Sequence, residues 1–138
     1  MDRQEIMTIL PHRDPMLLLE KLTLEDGVAR GAYQFRGDEW FFQGHFPGQP
    51  VAPGLVLCEI LAQSACVLIK QYATRQTIPY LVGMDKTRFH QQVHPGDYFE
   101  TECQVFKEKK PFYFFKGTGS VGGKVCVKTD FSVILVDP

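Results

Sequence analysis

One segment holds this chain to few folds. From Leu55 to Ile69 almost every residue is apolar and most are good helix formers, with Pro53 and Gly54 marking the start. A surface helix shows a single apolar stripe, but this one is apolar nearly all round and must be covered on most sides. As a membrane span the run is too short, and it carries Glu59, Gln63 and Ser64. It is therefore predicted as a buried helix from Gly54 to about Arg75. The rest of the chain must supply its cover.

That cover reads as β structure. "MLLLEKLTL" and "VARGAYQFR", separated by "EDG", form a predicted hairpin, because Asp-Gly is a strong turn signal. After the helix come three predicted strands, Pro79 to Phe89, Tyr98 to Phe106 and Phe112 to Ser120, with turns at "HPGD" and around "KEKKP". A last strand, Val125 to Val136, follows the Gly122-Gly123 turn. The closing three segments alternate and are rich in Val, Phe, Tyr and Thr, as in an antiparallel meander. "MDRQEIMTIL" reads as a short helix capped by Asp2 and ended by Pro11. The sum is an α+β fold in which a curved antiparallel sheet of about six strands wraps one long buried helix. At 138 residues, a single domain over residues 1–138 is expected.

Charge narrows the partners. A formal net charge of -1 provides no basic field for nucleic acid. The N-terminus lacks the basic start and apolar stretch of a signal peptide. Cys58, Cys66, Cys103 and Cys126 lie among apolar neighbours with no Cys-x-x-Cys pair, which reads as buried free thiols and a cytoplasmic protein.

Two residues break the apolar pattern in a way that suggests chemistry. Glu59 sits about 7.5 Å along the helix from Gly54, with Gln63 one turn on as its only polar neighbour at helical spacing. Desolvation is expected to raise its pKa and keep a proton available near neutral pH. His45 lies in "GHFPGQPVAPG", where three prolines stiffen the loop that delivers the chain to the same helix. Histidine is the usual general base near neutrality. The first N–H groups of the helix have no intrahelical partner, and Gly54 would let a substrate carbonyl approach them. Base, acid and oxyanion donor together suit loss of a β-hydroxyl next to an acidified carbon.

"GHFPGQPVAPGLVLCEILAQSA" resembles the signature of the 3-hydroxyacyl-[acyl-carrier-protein] dehydratases of type II fatty acid synthesis, which have the hot-dog fold. The likeness extends to "ILPHRDPMLLLEKL", "GMDKTRFHQQVHPGD" and the closing strands. It implies conversion of (3R)-3-hydroxyacyl-[acyl-carrier-protein] to the trans-2-enoyl product and water during fatty acid elongation. It further implies a homodimer with a continuous sheet, assembling as a trimer of dimers, in which base and acid come from different subunits. His45 matches the base, Glu59 the acid and the Gly54 N–H the thioester-oxygen donor. Phe46 and Val56 are candidate tunnel residues and Gln63 a candidate orienting residue. No metal or dissociable cofactor is implied, since the phosphopantetheine arm arrives with the acyl carrier protein. Glutamate at position 59 favours the dehydratase-only type over the dehydratase/isomerase, where aspartate is typical.

The sequence departs from that pattern at Ala52, where methionine is common, at "HQQVH" after Arg88-Phe89, and at Glu20 in "LLLEKL", where aspartate is usual. None touches the proposed acid, base or oxyanion donor. Lys86 and Arg88 are candidates for carrier-protein docking, beside a plain reading as a solvated strand end. His90 and His94 have a spacing of four but lie beside Pro95-Gly96, off any helix, so a metal role is not expected. His12 reads as structural or as a residue near the mouth of the site. The rival readings are a hot-dog acyl thioesterase, a non-catalytic carrier-binding subunit, and a dehydratase of a specialised lipid or polyene pathway.

Overall fold

The helix is covered by a six-stranded, wholly antiparallel sheet. This is a computed structural model, and it describes residues 1–74 and 76–138. The strands are β1 (Lys21–Glu25), β2 (Val28–Gln34), β3 (Ile78–Phe89), β4 (Tyr98–Lys109), β5 (Phe112–Val121) and β6 (Lys124–Val136), in spatial order β1-β2-β4-β5-β6-β3. Helix α1 is Arg3–Ile6, and α2 is Gly54–Ala65, continued as a tighter 3-10 segment over Cys66–Tyr72. The end of the predicted helix at Arg75 lies outside the described residues.

The meander β4-β5-β6 lies as read, but β3 crosses over to the far edge beside β6. Its place could not be read from local signals, because only a distant partner determines it. Along β4 the alternation puts Phe99, Thr101 and Cys103 inward, and Tyr113 and Phe115 face the same way from β5. All of these but Thr101 join Leu57, Ile60, Leu61 and Ala65 of α2 in one apolar core. Helix and sheet come close at Gly31 of β2, where any β-carbon would lie 2.7 Å from Ser64 Oγ. A buried chain of hydrogen bonds fills that contact: Gly31 N–H donates to Thr101 Oγ1, which is 2.7 Å from Ser64 Oγ.

Four expectations need correction. Residues 16–20 are not strand. Leu18 N–H instead donates to Gln63 Oε1 at 3.0 Å, so the helix takes the hydrogen bond that a neighbouring strand would have used. The turn after β4 is not at "KEKKP": β4 runs through Lys109 by way of a bulge between Val105 and Lys107, and only Lys110-Pro111 turns. Helix α1 has the Asp2 cap and a reciprocal bond from Glu5, but it stops at Ile6, well before Pro11. Finally, with its 3-10 extension the segment Gly54–Tyr72 is long and apolar enough to cross a membrane. Its surroundings argue against that use, for most of it is buried inside the sheet.

Candidate active site

His45 is placed by a chain of contacts that begins in β2. Phe35 is fully buried and meets Tyr33, Phe41 and Phe42 edge-on at 5.1 to 6.1 Å between ring centres. Such pairs contribute about 0.5–1.5 kcal/mol each beyond their buried area. Phe41 and Phe42 belong to a 3-10 turn, Trp40–Phe42, that leads directly into Gly44-His45. Glu39 locks the start of that turn. Its carboxylate accepts from Tyr33 Oη at 2.8 Å, from Gly37 N–H at 2.7 Å and from Arg36 N–H at 3.1 Å.

Burial pushes the Glu39 carboxyl up, but the backbone donors of Gly37 and Arg36 and the Tyr33 hydroxyl outweigh it, and the group sits below the usual range. A carboxylate depressed in the folded state adds stability above its unfolded pKa of about 4.3, and that stability is lost as pH falls through the folded value. Glu39→Gln is therefore expected to lower neutral-pH stability by roughly 2–4 kcal/mol, since it strands buried donors. The variant should also lose part of the wild type's acid sensitivity. Urea midpoints at pH 7 and pH 3.5 check both; equal midpoints for the two proteins at pH 7 would remove the clasp.

The His45 loop has no helix or strand, yet it is tied by its own backbone. Gln49 N–H donates to Phe46 C=O at 2.9 Å, Val51 N–H to His45 C=O at 2.9 Å, and Ala52 N–H to Val93 C=O at 2.7 Å. The imidazole Nδ1 lies 2.8 Å from Val51 C=O. A carbonyl only accepts, so Nδ1 carries the hydrogen and Nε2 presents a free lone pair.

That lone pair belongs to a residue lining an open cleft of about 410 Å³, shared with Phe46, Gly54, Leu55 and Phe89. Phe46 is 54% exposed and stacks on His45 with ring centres 4.0 Å apart. At Gly54 a β-carbon would come within 2.7 Å of the Phe89 ring, so only glycine fits without moving that aromatic. Val56 does not line the cleft; it packs partly buried against the core. Leu55 takes that place, and with 72% of its surface exposed it leaves the first turn of α2 uncovered, against the expectation of cover on most sides.

Glu59 stands apart. It does not line the His45 cleft and makes its contacts with a different set of residues. Gln63, fully buried, donates from Nε2 to Glu59 Oε1 at 3.0 Å and to Met16 C=O at 2.7 Å, while its Oε1 accepts from Leu18. His12 Nε2 lies 3.5 Å from the same Glu59 oxygen. Desolvation raises this carboxyl, as expected from sequence, but the polar contacts of His12 and Gln63 prevail, and the group lies below its ordinary value. The expected rise is thus reversed within one chain.

The FabA-like domain family matches residues 10–130. The chain belongs to the FabA-like family. It is 39% identical to the 3-hydroxyacyl-[acyl-carrier-protein] dehydratase FabZ of Anaeromyxobacter dehalogenans over 96% of this chain and 88% of that protein. To the FabZ protein of a Geobacillus species it is 37% identical over 99% and 97%. Among solved structures, the dehydratase heterocomplex ApeI:P of Xenorhabdus doucetiae superposes with a TM-score of 0.78 at 20% identity, over 96% of this chain and 90% of that one. The fold is the hot-dog fold, here with the sheet left open.

In this FabA-like chain Lys86 and Arg88 sit exposed at a bulge in edge strand β3, where Lys86 takes a left-handed φ of 51°. His90 and His94 are exposed on either side of buried Val93 in the β3–β4 connection, and among the described residues no group of three or more His, Cys, Asp or Glu could hold a metal. The four cysteines are buried and free. Sequence reading missed Glu39, and it read His12 as structural or near the mouth of the site, without its partner. Glu39 carried a faint signal as an acidic residue just before a turn of aromatics. His12 carried none that tied it to Glu59, for the pairing spans 47 positions of sequence.

Proposed function

We propose that this chain removes water from (3R)-3-hydroxyacyl-[acyl-carrier-protein] to give the trans-2-enoyl thioester in fatty acid elongation. It is a hydro-lyase of the 3-hydroxyacyl-[acyl-carrier-protein] dehydratase type. The observation that carries the reading is the Nδ1–H bond of His45 to Val51 C=O, which leaves Nε2 as a directed base beside the first turn of α2. His45 Nε2 takes the proton from C2, and that electron pair becomes the C2–C3 double bond as the C3–O bond breaks. Glu59 gives its proton to the departing hydroxyl, which leaves as water. The thioester oxygen is held meanwhile by the Gly54 N–H at the helix N-terminus. No metal or dissociable cofactor enters this scheme; phosphopantetheine comes with the carrier protein. Phe46 and Leu55 flank the path of the acyl chain.

Base and acid come from two copies of the chain in this reading. Its support is that Glu59 does not line the His45 cleft of its own chain, together with the character of edge strand β3, which is 12 residues long and exposes Tyr80, Leu81 and Val82. A long apolar edge is a hazard unless another strand covers it. A second copy of β3 would make the sheet continuous, and three such dimers would give the hexamer. Covering the part-exposed Glu59 side chain would add desolvation, moving its carboxyl upward and favouring the protonated form that the reaction needs. Residues 1–138 act as one domain of a cytoplasmic enzyme, with acyl carrier protein as the partner that docks near Lys86 and Arg88.

The test is ultraviolet absorbance of the purified protein with a short trans-2-enoyl thioester on carrier protein. Loss of the conjugated enoyl band, with 3-hydroxyacyl product and no free thiol, is expected. Free thiol would make the protein a thioesterase instead, and no change with any chain length would sink the reading.

A further inference from the structure

The Glu59 cluster contains a group that the scheme above leaves without a task. His12 lies in the segment between α1 and β1 and reaches α2 with its ring half-buried. Its Nε2 is 3.5 Å from Glu59 Oε1, and its Nδ1 is buried without a partner among the described residues. With Glu59 ionised its oxygen only accepts, so the Nε2 that faces it then carries the hydrogen. The backbone holds the neighbourhood in place: Gln63 Nε2 ties Met16, its Oε1 ties Leu18, and Arg13 bonds the carbonyls of Met7, Leu10 and His12.

Gln63 donates to Oε1 of Glu59, and His12 Nε2 approaches the same oxygen at 3.5 Å. We propose that His12 is a positioning residue for this site: with Gln63 it claims Oε1, and so leaves Oε2 as the oxygen that meets the substrate's hydroxyl. This rests on the assignment of Glu59 as the acid. Gln63 alone would leave the carboxyl free to rotate about its terminal bond, whereas a second donor from another segment of the chain fixes the plane. Cys66, which also feels Glu59, has its thiol pushed up to about 12, by burial first and by Glu59 second, and stays neutral. On the sheet side of α2, Cys103 is likewise pushed up by burial.

The experiment is a carbon NMR titration of glutamate-labelled full-length protein, with the Glu59 signal assigned by its loss in Glu59→Gln. The wild-type protein gives the Glu59 midpoint against which the variants are read. In His12→Ala it should move to higher pH, because the downward contributions of His12 are lost while the Gln63 bond and the desolvation remain. His12→Gln, whose amide can reach Oε1, should return part of the way. If His12→Ala does not fold, His12→Asn takes its place, since its shorter amide falls short of Glu59. Turnover should drop roughly 10- to 100-fold in the Ala or Asn variant with little change in KM, as for a misoriented reacting group. A Glu59 titration identical in wild type and His12→Ala or His12→Asn would overturn the inference, even with Glu59→Gln inactive. Full turnover in Glu59→Gln would instead remove the acid role, while the titration would still decide the contact.

Discussion

Replacing His45 by alanine is expected to lower turnover by at least about 10²-fold, the usual scale for loss of a general base, while leaving the fold almost unchanged. The second half of that statement follows from how the ring is held. Its one described polar bond is from Nδ1 to Val51 C=O, and the ring is only partly buried between solvent and an exposed Phe46. Removing the ring frees a carbonyl that lies in an open cleft and can be hydrated, so the cost in stability should stay within about 1 kcal/mol. The loop keeps its backbone bonds from Gln49, Val51 and Ala52. Steady-state rates on a hydroxyacyl thioester, beside a thermal unfolding curve, separate the two effects. Near-normal turnover in a folded variant would take the base role away from His45.

What could be read from the chain alone was whatever depends on local pattern. The apolar run from Leu55 to Ile69 allowed few folds besides a wrapped helix. The alternation in β4, β5 and β6 ordered those strands correctly because consecutive antiparallel strands usually pair. Long-range pairing is where the reading stopped. Nothing near Leu18 signals that its N–H goes to Gln63, 45 positions on, rather than to a strand. Nothing near Pro79 says that the strand will cross to β6.

The site divides along the same line. His45, Phe46 and Gly54 are brought together in one cleft by a loop of their own sequence neighbours. The environment of Glu59 is built by distant segments, and so the sign of its shift was misjudged. Burial alone raises a carboxyl, but burial beside Gln63 and a histidine from the segment before β1 does the opposite. A sequence shows that a group will be buried more readily than it shows what it will be buried against.

The arrangement of the site has its sharpest consequence when two defective proteins are mixed. His45→Ala and Glu59→Gln are each expected to be nearly inactive as purified. If base and acid come from different copies, a mixed dimer holds one site in which both groups are missing and one in which both are present. Free exchange at equal amounts makes half of the dimers mixed, and each has one complete site of two. Activity should then recover to roughly a quarter of the wild-type value, as the two-fold symmetry of such an interface requires. If His45 and Glu59 of one chain served the same reaction, no mixture could restore it, because every site would lack one group. That Glu59, held beside Gln63 and His12, does not line the His45 cleft of its own chain favours recovery. Exchange by co-refolding, followed by the enoyl absorbance assay against each parent alone, reads the result directly. A mixture no more active than its parents, with mixed dimers confirmed by mass, would place base and acid in one chain and leave β3 to serve assembly alone.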